Sequence, residues 1–507
     1  MKLSLLTLTV LIIFSNCQPV QEVKPTHISQ PVVIEDDDWR FEGTENIILV
    51  PENRNEENSR LISLHYFHFP AKEQSNLPPV AFLGAGPGEP YSYDVFFDGS
   101  RAEAWRWELE LMNQKRDILL INQRGNPDSP GLSVHNFIYR WNNDGSLEEP
   151  FDPVKRDQNR LTAFQEKIEE YQSQGIDLRG YDIIHLVDDI EDVRKQVGAD
   201  KLALVGNSFG SQWGLAYIQR YEDHVDRALF SGVEPLDNNY DDPDGIWAVL
   251  EMIEAYAKND SIVKNDLPAE GLLEAFKTII TRLEKEPGYA TVIDEDDTMN
   301  VAVGADDLRM HLLSPYARSY YEDVETWPTY IMEMYNGDYS ALAEASIGRM
   351  YNSRSRMINP LINNSLGISK AREEMLNSRE SVRWLGNINS HYTTTRDICP
   401  TPKVPEDFLQ HKSHDIPVLL IQGDMDMSTP YENATFLMEY LDNGHLLTVK
   451  RGFHNAKRAL IFEDRELATE LYEFMNVDFE KTPFGEWKSS VPGIYEMPAF
   501  EFWSVKD

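Results

Sequence analysis

The chain has 507 residues, room for two to four structural units at roughly 100–200 residues each. Its 47 Lys and Arg face 85 Asp and Glu, a formal net charge of −38, and so acidic a chain repels phosphate backbones, which excludes general nucleic-acid binding. Two cysteines, Cys17 and Cys399, are too few for a disulfide scaffold or a zinc ribbon, and 41% hydrophobic residues suit a globular chain with a sizeable core.

In chain order, Met1-Lys2 precedes an apolar run from Leu3 to Phe14 and then Cys17. A helix of that length spans about 18 Å, short of a hydrocarbon core of roughly 30 Å, so the run predicts a signal segment over 1–17 and not a membrane anchor. It resembles a bacterial lipoprotein signal with Cys17 as the lipidated residue, which implies a cell-envelope or secreted address. If Cys17 carries lipid, Cys399 is a free thiol. Residues 18–45 are polar and proline-bearing and read as a tether.

From Ile47 the texture changes. Ile47–Val50 and Leu61–Phe67 predict two strands around a polar turn. Short, unalternated apolar runs follow at Val80–Leu83, Asp117–Ile121, Lys201–Val205, Arg227–Gly232, Pro417–Ile421 and His445–Val449. Such runs predict strands buried on both faces, as in a parallel sheet. Helical spacing lies between them, clearest over Ile183–Val197 and again over Asn455–Met475. Strand–helix alternation predicts an α/β fold. Between Glu234 and Pro417 the texture is mainly helical, as at Gly245–Ala257 and Leu272–Glu284, and a stretch of that size folds as its own unit. The predicted division is a core over 46–235, a helical cap over 236–415, and the second part of the core, with a C-terminal tail, over 416–507.

Gly206-Asn207-Ser208-Phe209-Gly210 fits G-x-S-x-G. It follows a buried-strand run and precedes a helical one, the setting of a nucleophile elbow, where the serine projects from a strained turn. A serine hydroxyl needs a base and a group that orients the base. Gly423-Asp424-Met425-Asp426 ends one later strand, and Gly452-Phe453-His454 ends the next, at the same sheet edge. Ser208 is therefore the predicted nucleophile, His454 the base and then acid, and Asp426 the orienting acid. Asp424 competes with Asp426, with a turn-capping role as its alternative. His185, His414 and His445 suit surface or satisfied-core positions. Tetrahedral oxyanions need backbone N–H donors, for which Phe209 and Gly86, in the turn Gly84-Ala85-Gly86-Pro87-Gly88, are placed. Asp241-Asp242-Pro243-Asp244-Gly245 lacks calcium-loop spacing, and no metal or cofactor is implied.

With these pieces the chain resembles the α/β-hydrolase superfamily, and within it the proline iminopeptidase and tripeptidyl aminopeptidase group of serine peptidases. The matching segments are Val50-Pro51-Glu52-Asn53-Arg54, Gly86-Pro87-Gly88, Asn122-Gln123-Arg124-Gly125, Gly206–Gly210, Gly423–Pro430 and Gly452-Phe453-His454, in order. The turn reads Gly84-Ala85-Gly86 where iminopeptidases carry His-Gly-Gly, and Asn122 stands where the group usually has Asp. Cys399 sits where some relatives place half of a cap disulfide. The turn change and the long cap look closer to the larger, secreted tripeptidyl-type enzymes than to a plain iminopeptidase.

The resemblance implies a serine aminopeptidase acting on short peptides, with carboxylates holding the substrate amine. Glu234 is the candidate for that role, with Glu251 and Glu254 following in the cap. A carboxylesterase with the same triad, and a non-catalytic binding lipoprotein on the same fold, are the competing readings.

Overall fold

The computed structural model describes residues 27–36, 39–97, 99–125, 136–140, 146–294, 297–313 and 320–504. The predicted signal segment with Cys17, and residues 18–26, lie outside the described residues. Fourteen strands form among the described residues. In chain order they are β1 (His27–Asp36), β2 (Trp39–Pro51), β3 (Leu61–Phe69), β4 (Val80–Leu83), β5 (Ile118–Ile121), β6 (Asn136–Arg140), β7 (Leu202–Asn207), β8 (Val225–Ser231), β9 (Gly288–Asp294), β10 (Asp297–Val303), β11 (Asn352–Arg356), β12 (Val418–Gly423), β13 (Gly444–Lys450) and β14 (Ile494–Glu496).

Ten of them make one sheet in the order β1-β2-β3-β5-β4-β7-β8-β12-β13-β14. From β5 to β14 every neighbouring pair is parallel, while β1, β2 and β3 join through antiparallel pairings. The parallel strands are apolar on both sides because helices cover both faces. Val80 and Phe82 of β4 join the cluster that packs against α1 (Gly99–Asn113) and the helices Ala456–Glu463 and Arg465–Tyr472. Ala81 and Leu83 join the opposite cluster, which holds α2 (Pro153–Ser173), α3 (Ile183–Gln196) and α4 (Phe209–Tyr221). This is the expected mostly parallel α/β sheet.

Three expectations are corrected. The tether reading of 18–45 fails over His27–Asp36 and from Trp39 onward, which pair as β1 and β2. Only Val32 and Ile34 of β1 are buried, so its sequence lacks the apolar density that marks the other strands. The helix expected over Asn455–Met475 breaks at Asp464, whose side chain accepts from Leu467 N at 3.0 Å and starts a second helix. The stretch between β8 and β12 is helical, with α5 (Pro243–Asn259) and α6 (Leu272–Leu283) as its first helices, but it also holds the hairpin β9–β10. In addition, β11 pairs with β6, which precedes α3 in the chain, so residues from before the nucleophile support the cap.

The cap has its own core, built around Ile253, Phe276, Ile280, Trp327 and Ile331. Met425 and Phe453 from the sheet edge and Phe500 and Phe502 from the tail enter it. The tail also hydrogen-bonds the cap helix Tyr320–Tyr335, with Trp503 N donating to Glu325 O at 3.1 Å. Among the described residues no helix is long and apolar enough to cross a membrane.

Candidate active site

Ser208 lies between β7 and α4 with φ 56° and ψ −131°, a left-handed backbone that a non-glycine residue adopts only when its surroundings enforce it. The enforcement is visible. Ser208 N donates to Ser231 O of β8 at 3.0 Å, and the Ser208 carbonyl accepts from Ser211 N at 2.8 Å and Ser211 Oγ at 2.7 Å. A side chain on Gly210 would run into the Leu83 carbonyl, so glycine lets α4 start against the end of β4.

His454 and Asp426 come from the loops after β13 and β12. Asp426 Oδ2 lies 2.9 Å from His454 Nδ1. The Asp426 carboxylate also accepts from Ser428 N and Thr429 N at 2.9 Å each, Thr429 Oγ1 at 2.7 Å and Gln422 Nε2 at 3.1 Å. These donors hold the carboxylate in place, and it fixes the imidazole with Nδ1–H toward it, leaving Nε2 to face away. Burial works against charge on His454, but the Asp426 charge and hydrogen bond, with Asp241 and Glu89 beyond, raise its pKa above the ordinary value. Gly232, at φ 53°, has no side chain to strike the imidazole.

Asp424 holds the turn after β13, accepting from Arg451 N at 2.7 Å and pairing with Lys450 at 3.2 Å. It is Asp426 that reaches the histidine. His185 is likewise structural: its Nδ1 lies 2.7 Å from Asp182, and its Nε2 accepts from Arg54 N at 2.9 Å.

The Gly84–Gly88 turn faces Ser208 and is sutured by Gln123. Gln123 Oε1 accepts from Gly88 N at 2.7 Å, and its Nε2 donates to Gly84 O and Ala85 O at 3.0 and 3.1 Å. Asn122 does the same for Tyr91, accepting from its N–H at 2.7 Å and donating to its carbonyl at 3.1 Å. Arg124, fully buried, forks onto Asp189 at 2.6 and 2.7 Å and donates to the Glu52 and Gly180 carbonyls. Thus the Asn122-Gln123-Arg124 segment ties the turn to α3 and to the Glu52 loop. Phe209 is the first residue of α4, where the N–H has no acceptor within the helix.

A cavity of about 140 Å³ opens beside the serine, walled by Gly86, Ser208, Phe209, Glu234, Asp241 and Tyr392 among others. Glu234 follows β8, and its N–H donates to Ser211 Oγ at 3.0 Å, the same hydroxyl that supports the elbow. Asp241 is held by Asn389, through Asp241 N to Asn389 Oδ1 and Asn389 Nδ2 to Asp241 O, both at 2.9 Å. Burial, Asp241 and Asp426 push the Glu234 carboxyl well above its ordinary pKa. Burial and Asp426 push Asp241 up to about 7, against the opposing charges of His454 and Arg372. Among the described residues neither carboxylate has an ion-pair partner.

Of the acids named from sequence, Glu234 lines this cavity. Glu251 and Glu254 do not: Glu251 accepts from Trp247 Nε1 at 3.0 Å, and Glu254 pairs with Lys258 at 3.2 Å. Sequence reasoning missed Asp241. Its neighbours Asp242-Pro243 form a helix start, with Asp242 capping α5, and that local signal hides the cavity residue beside it. Cys399 is a free thiol, with Thr401 Oγ1 at 3.1 Å, and burial pushes its pKa up.

A family profile of the α/β hydrolase fold matches residues 78–268, and one described as TAP-like protein matches residues 387–459. No curated protein matches the chain significantly. Similar solved structures include a bromoperoxidase from Bacillus anthracis, 12% identical, covering 85% of this chain and 100% of that one at a TM-score of 0.36. A serine hydrolase from Cycloclasticus zankles is 13% identical, covering 88% of this chain and 98% of that one at 0.33. A meta-cleavage product hydrolase from Pseudomonas fluorescens is 13% identical, covering 82% and 94% at 0.33.

Proposed function

This chain belongs to the α/β-hydrolase superfamily, in its TAP-like group, and from that premise we propose that it is a serine aminopeptidase that cleaves short peptides near a free N-terminus. The observation that carries this reading is the pair Glu234 and Asp241 in the small cavity that Ser208 also lines. Two half-buried acids facing one cavity without an ion-pair partner are unfavourable, and a substrate ammonium relieves both at once. A simple ester without an amine, or an acetylated peptide, brings no such cation.

In the proposed reaction Ser208 Oγ attacks the scissile carbonyl while His454 Nε2 takes its proton. Asp426 keeps the imidazole oriented and stabilises the imidazolium that forms. The Phe209 and Gly86 N–H groups receive the oxyanion. His454 then protonates the leaving amine, and water releases the acyl group. The Leu3–Phe14 run and Cys17 support export and lipid anchoring at the cell envelope as part of the same proposal.

The test uses purified protein with Ser208→Ala as control. The substrates are aminoacyl and tripeptidyl anilides, each with a free or an acetylated N-terminus, alongside a simple aryl ester. Turnover of the free-amine anilides alone, lost in Ser208→Ala, is the expected result. Ester turnover without anilide turnover makes the protein a carboxylesterase, and no turnover of any substrate leaves the binding-protein reading.

A further inference from the structure

Two cavities meet at Ser208. The smaller holds Glu234 and Asp241. The larger, about 410 Å³, opens between β4, α1 and the helix Ala456–Glu463. Ser208 and Gly86 line both, whereas His454 lines only the larger. That asymmetry gives the substrate a direction. When the acyl–enzyme forms, the Ser208 Oγ–carbon bond is made, the carbon–nitrogen bond breaks, and the proton on His454 passes to the leaving nitrogen. The leaving group must therefore lie on the histidine's side, and the acyl group with its ammonium on the side of the acids.

We infer that the 410 Å³ cavity is the leaving-group site, and that it selects peptides with a bulky aromatic or apolar residue immediately after the cleaved bond. This rests on the aminopeptidase reading above. The apolar wall is built from Phe82 of β4, Tyr91, Trp105 of α1 and Ile461. The Trp105 ring centroid lies 5.4 Å from that of Phe82 and 5.2 Å from that of Tyr91, so the rings brace one another and present a fixed surface. Charge does not choose the occupant. Two acids, Glu89 and Glu108, and two bases, Lys457 and Arg458, line the cavity, and Lys457 is already paired with Glu108 at 2.6 Å.

Size agrees with this. A cavity of about 150 Å³ admits one benzene ring, so the larger space holds a ring together with its backbone, while the smaller suits a single N-terminal residue.

The test compares X-Phe-amide with X-Gly-amide, X being the residue that the anilide panel prefers. The wild type should favour the Phe peptide in kcat/KM by about tenfold or more, the range that one buried ring supplies. Trp105→Ala should narrow that ratio to threefold or less. Ile461→Ala reads the same wall if the tryptophan variant does not fold. A wild-type ratio near one, or a ratio unchanged in both variants while free-amine peptides are still cleaved, overturns the inference and leaves the aminopeptidase reading standing. Absence of any free-amine turnover removes both.

Discussion

The Asp426 carboxylate is the most constrained group in the site, and its donors set the behaviour of His454. Thr429 Oγ1 donates to Asp426 at 2.7 Å and lies 3.1 Å from His454 Nδ1. Removing that hydroxyl frees carboxylate charge to act on the imidazole. His454 must be neutral to act as base, and Asp241 must be ionised to hold an ammonium. Both conditions fail as pH falls, His454 with a raised pKa and Asp241 at about 7. The acid limb of kcat/KM should therefore lie near or above pH 7, with an alkaline limb near the substrate amine's own pKa of about 8. Thr429→Val should move the acid limb further up and lower the plateau several-fold. An acid limb below pH 6 in the wild type contradicts this reading.

Asp241 also bears on stability. Its folded pKa of about 7 exceeds the ordinary carboxylate value, so the folded state holds a proton that the unfolded state has released. Stability is then lost as pH rises from about 4 to about 7 and stays lower above that. Asp241→Asn should gain of order 1–2 kcal/mol at pH 8, allowing for solvent in the cavity, and nothing at pH 4. Thermal melts of both proteins at the two values check the sign. At this scale the placing of Ser208, Asp426 and His454 at one sheet edge was legible because each follows a strand in a short motif. Asp241 was not, because its place depends on Asn389, far along the chain.

Elements bring these residues together through a few buried ties. Arg124 is the clearest, joining the loop after β5 to α3 through its fork on Asp189 and to the Glu52 loop. Lysine keeps the charge but cannot make the fork. Arg124→Lys should lower unfolding stability by about 1–2 kcal/mol, since the Glu52 and Gly180 carbonyls lose donors while Arg54 still pairs with Asp189. Urea denaturation would show it, and a change under about 0.5 kcal/mol would mean the tie is incidental. The core strands were legible as unalternated apolar runs because helices bury both faces. The strand β1 was not, because it buries two apolar side chains, Val32 and Ile34, and leaves most of its length exposed.

On the scale of the whole molecule, a helical cap on the sheet edge was foreseen from a long helical interval, but its attachments were not. The pairing of β6 with β11 and the entry of Phe500 and Phe502 into the cap core join segments remote in sequence, and such contacts leave no local periodicity to read. A net charge of −38 adds a general repulsion to the folded state. Raising ionic strength from about 0.01 M to 0.15 M shortens the Debye length from about 30 Å to about 8 Å, so the melting temperature should rise over that range. A fall would show that attractive pairs outweigh the repulsion.

In the proposed function Glu234 and Asp241 hold the substrate ammonium beside a nucleophilic Ser208. The most direct test is the ratio of kcat/KM for an aminoacyl aryl ester with a free amine to that for its acetylated form. The reactive ester keeps both rates measurable. The wild type should favour the free amine by about a hundredfold, and Glu234→Gln should cut that preference at least tenfold, the scale of one buried charge pair. The acetylated rate should change little. A wild-type ratio near one, or equal losses on both esters in Glu234→Gln, would contradict the account.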